Sequence, residues 1–240
     1  MTGKTPLPAL VALILLSGGC AAQPLARGGT APSANPSAII AAEIAFNRLA
    51  QEKGFGAAQK ETGAKDAIVF LPRPTRLEDA LKQKQAGEAT PKWQPHKAFM
   101  SCDGKTGVTT GAWQLADGKT GYFTTVWQWQ EKGQRPRNAP AAFIGKGEWK
   151  WVLDHGDALT APITAPELIE TRVASCKGKP SAPLSAPPEG ATMKMGLSFD
   201  QSLNFTWIVQ PDGSRSVVVR LWNGTGFDTV IADTVAARTP

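Results

Sequence analysis

Four segments rich in aromatic and β-branched residues, at roughly 93–101, 106–115, 121–130 and 147–155, limit what this chain can fold into more than any other feature. Asp103-Gly104, Asp117-Gly118 and Gly133 interrupt them, and such residues supply the backbone conformations that tight turns need. Long strands joined by turns predict an antiparallel meander. Side chains alternate across a strand, so Trp149, Trp151 and Leu153 share one face and Lys150, Val152 and Asp154 the other. Trp93, Trp113, Trp127, Trp129, Trp149 and Trp151, six of the chain's eight tryptophans, lie in these segments. They fit either sheet packing or an aromatic pocket for an apolar or cyclic ligand. The Pro-bearing stretch 131–146 is longer than a hairpin requires and is expected to overhang one end of the sheet.

The meander is flanked by different material. Residues 20–36 are rich in Ala, Pro, Gly and Ser without an apolar period, which predicts a flexible tether. Ser37 then suits an N-cap, and Ile39, Ile40, Phe46, Leu49 and Ala50 recur at helical spacing up to Gly54. Residues 56–62 fit a further turn or two. Ala67-Ile68-Val69-Phe70-Leu71 predicts a short buried strand closed by Pro72, and Thr75 to Leu81 a small helix with Thr75 as cap and Glu78 completing a capping box. A second Pro/Ala/Ser linker spans 177–191, after which 193–200, 203–210, 215–223 and 226–235 read as strands around Pro211-Asp212-Gly213 and Asn223-Gly224 turns. The layout is a leader at 1–19, a tether at 20–36, a main domain at 37–176, a linker at 177–191, and a β extension at 192–240 packed on the main domain, being too small to stand alone.

The N-terminus bears on location. One early cation, Lys4, precedes an apolar run from Leu7 to Leu16, shorter than the roughly 20 residues a membrane-spanning helix needs. That is the pattern of a secretory signal. Leu15-Leu16-Ser17-Gly18-Gly19-Cys20 resembles a bacterial lipobox, which implies lipidation of Cys20 and a periplasm-facing lipoprotein. Ala21 in place of Asp resembles the outer-membrane sorting of such proteins. An ordinary signal peptide cleaved near Ala21 or Ala22 is the other reading.

The formal charge of +6 is spread along the chain, and the densest run, Lys132 to Arg137, holds three cations. A nucleic-acid partner calls for a basic face that neutralises several phosphates together, so none is expected. With Cys20 lipidated, Cys102 and Cys176 remain as a pair in an oxidising compartment. A bridge between them closes about 75 residues, worth roughly 3–4 kcal/mol in the chain-entropy picture; two separate buried thiols are the alternative. Two further candidates for metal ligation, His96 and His155, lie at no ligand spacing to each other or to the cysteines, so no metal site is expected. There is no Gly-rich phosphate loop, no G-x-S-x-G elbow and no cofactor motif.

Ile39-Ile40-Ala41-Ala42-Glu43-Ile44-Ala45-Phe46 resembles the opening helix of the SnoaL-like and DUF4440-type members of the nuclear transport factor 2-like superfamily. Asp66 to Phe70 resembles their first strand, and Gly121 to Trp127 with Trp149 to Asp154 their last two. The resemblance covers about 37–157. It implies an α+β fold, a cone with N-terminal helices packed on a curved, mostly antiparallel sheet, to which this chain adds C-terminal strands. It also implies a cavity between sheet and helices, in which enzymatic relatives place Asp, Tyr or His as general base or oxyanion donor.

Asp154-His155-Gly156-Asp157 is the most polar knot beside an apolar strand. Asp154, His155 and Asp157 are thus the catalytic candidates, with His155 positioned by a flanking carboxylate, although Asp and Gly also simply end strands. Trp93, His96, Trp113, Tyr122 and Trp127 are the candidate pocket residues, and Asp66 a weaker one. Three functions stay open: a tethered non-catalytic domain binding a small apolar molecule or an envelope partner; a SnoaL-like isomerase, dehydratase or hydrolase; or a structural module forming a homodimer through a sheet face.

Overall fold

The helical stripe of the first helix shows how this chain builds its core. In the computed structural model, which describes Met1 and residues 34–83, 89–132, 146–181 and 186–237, α1 (Ser37–Lys53) buries Ile39, Glu43, Phe46 and Ala50 along one face. Their spacing of four, three and four residues keeps them on one side of a helix with 3.6 residues per turn. The cap differs from the expected one: Ser37 is already helical, and the Asn35 carboxamide oxygen accepts its N–H. Gly54, at a positive φ of 89° that suits glycine, ends α1 and starts α2 (Phe55–Thr62).

Eleven strands follow among the described residues, with one more helix between the second and third. The first sheet contains β1 (Gly63–Leu71), β2 (Arg73–Arg76), β3 (Lys92–Met100), β4 (Thr106–Gln114), β5 (Thr120–Glu131), β6 (Gly147–Leu159) and β7 (Glu170–Val173), with α3 (Leu77–Gln83) after β2. Its order is β2-β1-β6-β5-β4-β3-β7. The run β3 to β6 is the antiparallel meander, while β1 joins β6 and β7 joins β3 in parallel. The second sheet, β11-β10-β9-β8, is antiparallel and made of β8 (Thr192–Leu197), β9 (Leu203–Val209), β10 (Arg215–Trp222) and β11 (Phe227–Val235).

The two faces of the seven-stranded sheet serve two cores. Trp93, Phe123, Trp127 and Trp151 pack with Ile39 and Phe46 of α1. On the opposite face Phe99, Val108, Val126 and Leu153 pack with Leu203, Phe205, Val217 and Leu221 of the second sheet. The molecule is therefore layered as helices, sheet, sheet.

This corrects the expected fold class. A nuclear transport factor 2-like cone of helices on one curved sheet does not describe the mostly β arrangement of three helices and eleven strands in two sheets among the described residues. The physical reason lies in residues 192–235. Leu203, Phe205, Trp207 and Val209 alternate inward along β9 and Val217, Val219 and Leu221 along β10, so these strands bury a full face against the first sheet. Burial of that apolar area, at roughly 25 cal/mol per Å², makes them a layer of the fold.

Three expected features lie wholly or mostly outside the described residues: the leader with Cys20, the tether at 20–36, and the 131–146 loop. No described helix is long and apolar enough to cross a membrane.

Candidate functional site

Glu43 is the anomaly from which the site builds. A carboxylate on the apolar stripe of α1 is costly unless hydrogen-bonded. It is 0% exposed, and the sheet supplies its donors. Trp93 Nε1 on β3 donates to Oε1 at 2.6 Å, while Thr109 Oγ1 on β4 and Trp127 Nε1 on β5 donate to Oε2 at 2.6 and 2.9 Å. Indole nitrogens only donate, so both are satisfied by this one acid. Burial pushes the Glu43 carboxyl above its ordinary range, and hydrogen bonds from Thr109, Trp93 and Trp127 pull part of the way back.

Glu43 forms part of the wall of a cavity of about 600 Å³ lined by residues of the helices, the first sheet and its loops. Phe46, Phe55, Trp93 and Trp113 supply aromatic surface, and Gln59, Thr125, Asp154 and Tyr122 add polar groups. Such a mixture, mainly apolar with a few convergent polar groups, is what small-molecule sites present. Phe46 meets Trp93 edge-on at 4.8 Å between ring centroids, which fixes both rings. Trp113 is placed by a glycine. Gly121 stands opposite it in the β4–β5 ladder, and the indole occupies the space a Cβ would need. Trp113 Nε1 then donates to the Tyr122 carbonyl at 3.0 Å.

Asp154 faces the cavity beside Thr125, whose Oγ1 donates to Oδ1 at 3.2 Å. The next residue, His155, is buried between the sheets. Arg215 Nε of β10 lies 3.4 Å from its Nδ1, and Tyr122 Oη lies 3.3 Å from its Nε2. An arginine N–H can only donate, so Nδ1 is the acceptor and Nε2 carries the proton shared toward Tyr122. Arg215 also donates to the Gly156 carbonyl at 2.9 Å and stands 5.4 Å over the Phe70 ring. Burial, with the Arg215 charge, pulls the His155 pKa down to about 3. Burial and the charges of Asp233 and Asp157 push Tyr122 up.

The structure thus places the sequence candidates as follows. Trp93, Trp113 and Tyr122 line the cavity, as do Asp154 and His155. Trp127 is fully buried and reaches the site through Glu43. Asp157 stands opposite Tyr122 in the β5–β6 ladder and is not among the lining residues. His96 is buried, its Nε2 has no hydrogen-bond partner among the described residues, and it does not line the cavity. Asp66 belongs to a separate pocket of about 270 Å³ with Phe205 and Trp207. The expected pairing of His155 with a flanking carboxylate is replaced by its contacts to Arg215 and Tyr122. Cys102 and Cys176 form a disulfide with Cα atoms 5.3 Å apart. Among the described residues, no group of three or more His, Cys, Asp or Glu side chains is arranged to hold a metal ion.

Sequence reasoning missed Glu43, Thr109, Thr125 and Arg215. For Glu43 the signal was present: it falls on the stripe set by Ile39, Phe46 and Ala50. No protein-family model, curated protein or solved structure matches this chain.

Proposed function

We propose that this chain is a periplasm-facing lipoprotein, lipidated at Cys20 and held at the outer membrane, whose folded domain binds a small, largely apolar molecule without transforming it. One observation carries the binding function: a cavity of about 600 Å³ with aromatic walls and a fully buried carboxylate. A volume of that size suits a drug-sized ligand. Buried polar groups in an apolar wall orient a ligand at an energetic cost that a plain core would not carry. The state of His155 supports binding over proton transfer, since Arg215 and Tyr122 engage its two ring nitrogens and its pKa near 3 leaves it neutral at physiological pH. The lipid anchor rests on the leader and Cys20.

A neutral probe tests the cavity. 2-Naphthylmethanol added to the full chain in phosphatidylcholine nanodiscs is expected to raise the unfolding temperature in a concentration-dependent way. Ala80→Phe, which fills the wall from α3, is expected to abolish that rise. An equal rise in parent and variant contradicts the assignment.

A further inference from the structure

The N-terminal segment meets the folded domain at the end of the sheets that also carries an exposed aromatic side chain. Ala34 packs on the β3–β4 turn, its Cα 3.2 Å from the position a Gly104 Cβ would take. The neighbouring Asp103 joins this turn to the β8–β9 turn. Its N–H donates to Asp200 Oδ2 at 2.8 Å, and the Asp200 N–H donates back to Asp103 Oδ2 at 3.2 Å. The Ser198 and Ser202 hydroxyls also donate to Asp200, and Ser202 Oγ accepts the Cys102 N–H, so the two turns hold each other in place. Phe199 belongs to the second turn and is 73% exposed, the one exposed aromatic side chain among the described residues. Val173 and Leu197, the last residues of β7 and β8, are exposed at the same end, as are Lys177 and Lys179 beyond the disulfide.

The length of the connection to Cys20 selects what covers this end. Fourteen residue steps separate Cys20 from Ala34, a contour of at most about 50 Å. β6, thirteen residues long, alone extends about 43 Å, from Gly147 near the β3–β4 turn to Leu159 beside the β4–β5 turn. The far end of the domain therefore reaches a bilayer holding Cys20 only with the connection drawn nearly straight along the molecule, which costs chain entropy. The near end meets the same bilayer at any extension. A phenyl ring held in water there gains by entering the boundary between headgroups and acyl chains. Lysines beside it lay their apolar stems on that boundary and bring their ammonium groups to the phosphates.

We propose that the end formed by the β3–β4 and β8–β9 turns docks on a phospholipid surface, with Phe199 in the headgroup–acyl boundary and Lys177 and Lys179 at the phosphates. The cavity, lined by Leu71, Leu115 and Tyr122 near the β4–β5 turn, then lies at the end away from the lipid. This docking rests on the proposed lipidation of Cys20, and one sample reads both. The photoreactive residue p-benzoylphenylalanine is placed at Phe199 or, separately, at Asp117 of the β4–β5 turn, in the full chain held in nanodiscs of phosphatidylethanolamine and phosphatidylglycerol. After irradiation, phospholipid adducts are counted by mass spectrometry, and the N-terminal peptide reports the acyl groups on Cys20. Position 199 is expected to give at least tenfold more phospholipid adduct than position 117. Lys177→Glu with Lys179→Glu is expected to lower the yield at 199 at least threefold, and an unchanged yield overturns the phosphate contact given to the lysines. Equal yields at 199 and 117 from acylated protein, or capture of a second copy of the chain at 199 in place of lipid, overturn the docking and leave the lipoprotein reading standing. A Cys20 without acyl groups overturns both.

Discussion

Glu43 and His155 are buried ionisable groups whose protonation is coupled to folding with opposite sign. Burial raises Glu43 above its ordinary 4.5, so the folded state holds its proton more tightly than the unfolded chain. Its contribution to stability is therefore present at low pH and is lost as pH rises through the folded pKa. His155 titrates near 3 when folded and near 6.5 when unfolded, so the unfolded chain binds more protons between those values. Its contribution is present above pH 6.5 and is lost as pH falls toward 3, with a slope of at most about 1.4 kcal/mol per pH unit. Relative to the parent, His155→Gln is expected to flatten or reverse the rise in urea midpoint between pH 4.5 and 6.5, and Glu43→Gln to steepen it. Three parallel pH profiles would contradict both assignments. Glu43 could have been found in the sequence from its position on the α1 stripe, because a charge among Ile39, Phe46 and Ala50 demands a partner. Its donors could not. Which indole meets it depends on irregular register near Pro95/Lys97 in β3 and near Val126/Trp127 in β5, where the ladder shifts.

The strands show the same division between local pattern and pairing. Alternation and turn residues made β3 to β6 legible, since both signals are local. The short strands β2 and β7 were not, because Arg73–Arg76 and Glu170–Val173 are polar and exist as strands only through their neighbours, β1 and β3. Thr75, read as a helix cap, lies instead in β2 opposite Val69. Gly121 and Trp113 form the cross-strand pair that shapes the cavity wall, and Asp157 O also closes on the glycine. A methyl added there has no free space and must displace the indole or the backbone. Gly121→Ala is expected to cost roughly 1–3 kcal/mol in chemical unfolding. It is also expected to lower affinity for 2-naphthylmethanol, because Trp113 moves into the cavity. An unchanged stability would contradict the close packing described.

The layering of helices, sheet and second sheet depended on information no single segment carries. Residues 192–235 announced strands, and their alternation announced one apolar face, but not what that face would cover. It covers Phe99, Val108, Val126 and Leu153, and that choice produces the three-layer arrangement. The same packing brings Arg215 of β10 to His155 of β6, a contact across 60 residues of sequence. The disulfide strengthens the join. Cys102 lies in the β3–β4 turn, where its N–H also meets the Ser202 hydroxyl at 2.8 Å, and Cys176 follows β7. A cross-link spanning 74 positions removes chain entropy from the unfolded state. The Cys102→Ser, Cys176→Ser double variant is expected to lose about 4 kcal/mol against urea, and an unchanged midpoint would contradict that role.

The cavity against Glu43 is the feature from which the functional account follows, and mass spectrometry of the full chain purified from its own envelope addresses it. After denaturing extraction, the parent is expected to release a small, largely apolar molecule that Ala80→Phe protein, purified in parallel, lacks. Parent protein that yields no such molecule, and also fails to bind 2-naphthylmethanol, would contradict the account.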